Sequence, residues 1–202
     1  MDLREALLQI SEIRSQMART QVFRGYRSAT SAFSGIVAIV AATLQSIFLP
    51  HPLQEIGWYI ALWCGSALLC VAMVGVEMIV RTRKLASPAQ SQLTLLAVEQ
   101  FLPSLVAGAL LTAVLVAFLP QAIPMLPGLW LIFFGLGVFA SCRLLPRTTF
   151  IVAGFYLLAG MAVLMLAQGP WTLHPFVMGV PFGIGQFLAA GILYHQLERG
   201  HE

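Results

Sequence analysis

Two carboxylates and one amide are the residues most able to do chemistry in this chain. Glu77 falls near the end of one long apolar stretch and Glu99 at the start of the next. An ionisable group placed in hydrocarbon is costly and is usually kept for a purpose. If their helices bring them together at matching depth, two carboxylates form a proton or cation site. The competing reading is local. Glu77 precedes Arg81 by four residues, a spacing that suits a helical ion pair with the arginine stem reaching towards head groups. Both readings stay open at this stage, and both carboxylates are candidate site residues.

The sequence around the amide is His174-Pro-Phe-Val-Met-Gly-Val-Pro-Phe-Gly-Ile-Gly-Gln186. Gly179 and Gly183 form a G-x-x-x-G, which lets a second helix approach closely. Pro181 removes one backbone donor in mid-helix, an arrangement tolerated where a neighbour or a cavity satisfies the freed carbonyl. Gln186 then needs a hydrogen-bond partner deep in an apolar segment. Two accounts compete: a tight packing seam, or a kinked helix lining a pocket with Gln186 as its polar contact and Phe182 and Phe187 as its wall. Such a pocket would take a largely apolar ligand. The expected ligand-binding set is therefore Gly179, Pro181, Phe182, Gly183 and Gln186, with Glu77 and Glu99.

His51 and His174 each precede a proline, and two imidazoles at equal depth would suit a haem iron or another metal. No further ligand accompanies them, so no cofactor and no metal are expected, and both are read as interfacial residues beside helix starts. His195 and His201, close to Glu198, read as solvated. Cys64, Cys70 and Cys142 are odd in number, form no C-x-x-C pair and lie in apolar stretches, the pattern of small packing residues. The chain contains no G-x-x-x-x-G-K-[ST], H-E-x-x-H or G-x-S-x-G, and no nucleophile arrangement, so catalysis is not expected.

The elements that position these residues follow from composition. Of 202 residues, 59% are hydrophobic and 9% charged, with a mean hydropathy of +0.87. A soluble domain carries roughly a quarter charged residues, so most of this chain should face lipid. A helix needs about 20 apolar residues to cross a bilayer. Six stretches qualify: 30–49, 56–80, 99–119, 126–145, 148–167 and 174–194. Prolines, glycines or charges break the sequence between them. Residues 1–27 place Leu3, Ala6, Leu7, Ile10, Ile13 and Met17 on one helical face, which predicts an amphipathic surface helix preceding the six-helix domain of 28–202. Between the second and third spans, Ser87-Pro88 marks a helix start and an interfacial lead-in to the third.

All 11 Lys and Arg residues occur before the first span, in alternate connections or after the sixth: Arg4, Arg14, Arg19, Arg24 and Arg27; Arg81, Arg83 and Lys84; Arg143 and Arg147; Arg199. The other connections contain none. By the positive-inside rule, the cationic side is cytoplasmic and both termini lie there. The net charge of +3 thus reports topology and contact with anionic head groups rather than nucleic-acid binding.

Ser28, Ser31, Gly35, Ala38 and Ala42 make a small-residue seam along the first span, with Gln45 near its end free to snorkel. Trp58, Tyr59, Trp63, Trp130 and Trp171 gather at the cation-free side as an aromatic belt would.

The expected fold is an all-α membrane protein, a bundle of six transmembrane helices with an N-terminal amphipathic surface helix, in a bacterial-type inner membrane. The expected function is non-enzymatic: binding an apolar or lipid-like ligand, or a membrane-protein partner or second copy, as a sensor or accessory subunit. A small oligomeric transporter or channel is the alternative. The absence of charge from the middle of the spans weighs against it.

Overall fold

A computed structural model of the chain describes residues 28–85, 88–142 and 148–195. The predicted surface helix of 1–27 lies outside the described residues. So does the Glu77–Arg81 pair, because the Arg81 side chain is not among those described.

The described residues form six α-helices and no strand: α1 (Ser28–Phe48), α2 (Ile56–Leu85), α3 (Pro88–Phe118), α4 (Leu126–Ser141), α5 (Thr149–Met165) and α6 (Pro175–Leu193). Five segments are long and apolar enough to cross a membrane: Ser28–Phe48, Ile56–Val80, Val98–Phe118, Pro120–Ser141 and Pro175–Leu193. The remaining helix, α5, has 17 residues, a rise of roughly 25 Å at about 1.5 Å per residue. Its length lies at the lower edge of what a bilayer core requires.

The boundaries have local causes. Pro50 and Pro52 stop α1 from running into α2. Pro120, Pro124 and Pro127 turn the next break into a short 3-10 segment, Pro120–Met125, which leads directly into α4. Helix α3 begins at Pro88, where the missing N–H of proline costs nothing, and runs unbroken to Phe118 through the internal Pro103. The expected lead-in is therefore part of the third helix itself.

Side-chain contacts make neighbouring helices antiparallel. Thr30 pairs with Glu77 and Gln45 with Trp63 across α1 and α2. Trp130 of α4 meets Thr112 of α3, while Phe101 of α3 covers Gly137 of α4. The two glycines of the α4–α5 hairpin, Gly128 and Gly160, bring backbones together: a Cβ on either would stand 2.8 Å from the other's carbonyl oxygen. Helix α6 returns against α1. As a result, the connections at 49–55, 119–125 and 166–174, which contain no Lys or Arg, gather at one end of the bundle.

The core lies inside this arrangement. Ala41, Ala42, Tyr59, Trp63, Leu126, Leu131, Val152, Tyr156 and Met178 are among its buried members. The exterior is apolar as well, with Leu68, Phe118, Leu158 and Met165 all strongly exposed. A surface of this kind matches hydrocarbon rather than water. Helix α2 is the least embedded: it packs on α1 and touches α3, its successor in the chain, less than any other consecutive helices touch one another.

Candidate functional site

Three places combine polar chemistry with apolar surroundings: the α1–α6 seam, the Glu77 end of α2, and the cation-free end of the bundle.

At the seam, the small residues of α1 meet the glycines of α6. A Cβ on Gly179 would stand 2.5 Å from the Ala42 Cβ and 3.2 Å from the Ala38 carbonyl oxygen. A Cβ on Gly183 would stand 3.2 Å from Ile39, and one on Gly35 would stand 3.2 Å from the Gln186 Cβ. Gln186 itself is only 3% exposed. One turn away, Phe182 joins an aromatic cluster centred on Phe134. The Phe134 ring lies 5.0 Å from Phe182, 4.9 Å from Tyr156 and 5.4 Å from Phe101, each in an edge-on arrangement. The Tyr156 hydroxyl donates to the Phe182 carbonyl at 3.0 Å. Gly185 makes room for that ring, since a Cβ there would stand 2.6 Å from the hydroxyl oxygen. Pro181, half-buried, offers no N–H to the Val177 carbonyl, yet α6 continues through it. The structure thus brings Gly179, Gly183 and Gln186 together on the face of α6 against α1, and turns Phe182 towards α4 and α5.

The two carboxylates have different surroundings. Glu77 is half-buried and accepts a hydrogen bond from the Thr30 hydroxyl of α1. Beside this pair, Ser34 donates to the Thr30 carbonyl at 3.1 Å, and the Ser31 hydroxyl is fully buried without a partner. Glu99 is exposed on α3. The residue that turns inward there is its neighbour Gln100, whose Oε1 is buried and unpaired.

The cation-free end holds the polar contact that sequence reasoning missed. Gln45 does not snorkel; it is 0% exposed. Its Nε2 donates to the Leu173 carbonyl at 2.7 Å, and its Oε1 accepts from the Trp63 indole N–H at 2.8 Å. Leu173 holds a φ of 52°, the left-handed region that non-glycine residues rarely adopt. Such a residue persists only where its surroundings fix it, as the Gln45 amide does here. The expected aromatic belt is correspondingly only partial. Trp58 and Trp171 are exposed, whereas Tyr59 and Trp63 are buried and Tyr59 stacks on Trp130 at 6.4 Å. The indoles of Trp63 and Trp130 turn inward because each N–H has a buried acceptor, Gln45 Oε1 and Thr112 Oγ1.

Comparison with known proteins finds no matching family model, curated protein or solved structure.

Beside the Gln45 contact, an open cleft of about 610 Å³ separates the ends of α1 and α2. Leu44, Phe48, Glu55, Trp58, Ala61 and Leu62 line it. Glu55 immediately precedes α2, and Trp58, Ala61 and Leu62 follow at helical spacing. The cleft is therefore a stripe of α2 facing a stripe of α1, apolar apart from one carboxylate. The histidines nearby are separated in character. His51 is exposed, while His174 packs edge-on against Trp171 at 5.1 Å with its Nδ1 buried and unpaired. Among the described residues, no group of three or more His, Cys, Asp or Glu comes together.

Proposed function

We propose that this protein is a six-span protein of a bacterial-type inner membrane, with both termini in the cytoplasm, that binds an apolar or lipid-like ligand as a non-enzymatic sensor or accessory subunit. The carrying observation is the cleft between α1 and α2, open on the apolar exterior and lined by Leu44, Phe48, Trp58 and Leu62. A molecule dissolved in the bilayer reaches it laterally, without crossing the packed core.

The six-span count rests on treating α5 with the five longer segments, because its 17 residues pack as one arm of a hairpin with α4. The orientation rests on the cationic connections. In this reading α6 is the fixed side of the ligand's surroundings. Gly179 and Gly183 hold α1 in place, Phe182 anchors α6 to the aromatic cluster, and Pro181 and Gln186 supply the backbone and amide polarity of the seam. In the same reading Glu77 and Glu99 belong to the cationic halves of α2 and α3, away from the cleft. Membrane lipids are the proposed partners, together with a second copy or another membrane protein along the exposed face of α2.

Native mass spectrometry of detergent-purified protein tests the proposal. Wild type is expected to retain phospholipid through extensive washing, and Ala61→Trp, which fills the cleft, to lose it with little change in melting temperature. A wild-type protein that retains no lipid-like molecule would overturn the reading. Uptake of a labelled solute into liposomes, abolished by Gln186→Leu, would replace it with transport.

A further inference from the structure

The cleft has a chemical polarity that its apolar lining alone does not explain. Among the residues of the three cation-free connections, 49–55, 119–125 and 166–174, Glu55 is the only Asp or Glu, and no Lys or Arg accompanies it. Its side chain is exposed at the cleft, and Trp58, one turn further along α2, is 71% exposed beside it. A carboxylate at a helix N-terminus is favoured by the helix dipole, but that role needs neither a cleft nor an exposed indole. A carboxylate and an exposed indole lining the same cleft suit an ammonium group, the first by charge and the second by cation–π attraction. Leu44, Phe48 and Leu62 continue the same cleft as hydrocarbon surface.

From this we infer, resting on the lipid-binding reading above, that the cleft takes an aminophospholipid, with its ammonium headgroup at Glu55 and Trp58 and an acyl chain between α1 and α2. The lipid is the occupant rather than a free cationic amphiphile for two reasons. The cleft opens on the surface that faces the bilayer, and its carboxylate lies at the level where the helices end and head groups begin. The titratable groups of these connections besides Glu55 are His51 and His174, and no lysine or arginine stands among them, so a ligand ammonium supplies a cation that the chain's own lysines and arginines do not.

The experiment uses full-length protein in detergent, incubated with an equimolar mixture of phosphatidylethanolamine and phosphatidylglycerol and read by native mass spectrometry. Wild type is expected to retain the amine-bearing lipid at least fivefold over the glycerol-bearing one. Glu55→Gln should bring that ratio close to one while total phospholipid stays within twofold, and Trp58→Leu should lower the ratio part of the way. Ala61→Trp should reduce retention of both lipids. If Glu55→Gln keeps the wild-type ratio, the headgroup assignment falls while the cleft remains a lipid site. Retention of dodecyltrimethylammonium without any retained phosphatidylethanolamine also overturns the inference. If wild type retains neither lipid, the lipid-binding reading itself fails. Glu55 is exposed, so its variant is expected to melt like wild type, and its lipid ratio can be compared directly.

Discussion

The Gln45 side chain bridges Trp63 of α2 and the Leu173 carbonyl of the connection before α6, at 2.8 and 2.7 Å, inside a core from which water is excluded. One amide therefore ties three parts of the bundle at the end where the cleft opens. Gln45→Leu removes both bonds and leaves an indole N–H and a carbonyl buried without partners. Hydrogen bonds between membrane helices contribute about 0.5–1.5 kcal/mol each, so a loss of roughly 2 kcal/mol is expected. Thermal melting in detergent measures it. A melting temperature equal to wild type would mean that the bridge contributes nothing.

The Thr30–Glu77 bond makes a separable prediction at the other end of α1 and α2. An amide oxygen at position 77 still accepts the threonine hydroxyl, whereas a leucine does not. Glu77→Gln should therefore melt close to wild type, and Glu77→Leu should cost about 1 kcal/mol. Thr30→Val should cost a similar amount, and Thr30→Val with Glu77→Leu should cost less than the two singly added together. If Glu77→Gln is as damaging as Glu77→Leu, the negative charge rather than the hydrogen bond is what this position supplies.

Much of this architecture is legible without coordinates. Apolar runs of bilayer length place most helix ends to within five residues, because lipid leaves a chain few alternatives to α-helix, but α3 starts at Pro88, eleven residues before the expected span. The inward direction of Gln45 corrects the snorkelling expected of it, although a signal for that direction is written in the sequence: it extends the progression Ser31, Gly35, Ala38, Ala42 by three residues. Its partners are not, since Trp63 and Leu173 meet it only once the rotation of α2 and the turn before α6 are fixed. For the same reason Thr30, rather than Arg81 or Glu99, could not be named in advance as a partner of Glu77. The cleft was hidden by a different limit. A gap between two helices depends on which faces remain uncovered, and the parts of α1 and α2 that line this one are apolar like most of their exposed surface. Glu55 carried a signal nonetheless, as a lone acid in a set of connections without cations.

The proposed orientation has a direct chemical test. Cys64, Cys70 and Cys142 are replaced by alanine, and single cysteines are introduced as Gln54→Cys or Ser87→Cys. Gln54 is exposed beside the cleft, and Ser87 follows the Arg81–Lys84 run. A membrane-impermeant maleimide should label Gln54→Cys in intact spheroplasts and Ser87→Cys only after permeabilisation. Labelling of both from outside would break the alternation of sides on which the six-span reading depends.

The α1–α6 seam predicts a rescue. Gly179→Ala places a methyl against Ala42, where the closest approach is 2.5 Å, and against the Ala38 carbonyl at 3.2 Å. The first contact is between backbone-fixed atoms, so neither side can rotate away and the helices must separate. A cost of about 1–3 kcal/mol is expected, as for other overpacked sites. Ala42→Gly removes the obstructing methyl, and the double variant should recover much of the loss while the 3.2 Å contact to Ala38 retains some. Gly154→Ala serves as the control: that glycine has nothing within 4 Å of a built Cβ, so its substitution should leave stability unchanged or slightly raised. Melting temperatures of the four variants decide the matter. Additive losses for Gly179→Ala and Ala42→Gly would place the two helices further apart than the structure does, and would remove the fixed wall on which α6's part in the proposed function rests.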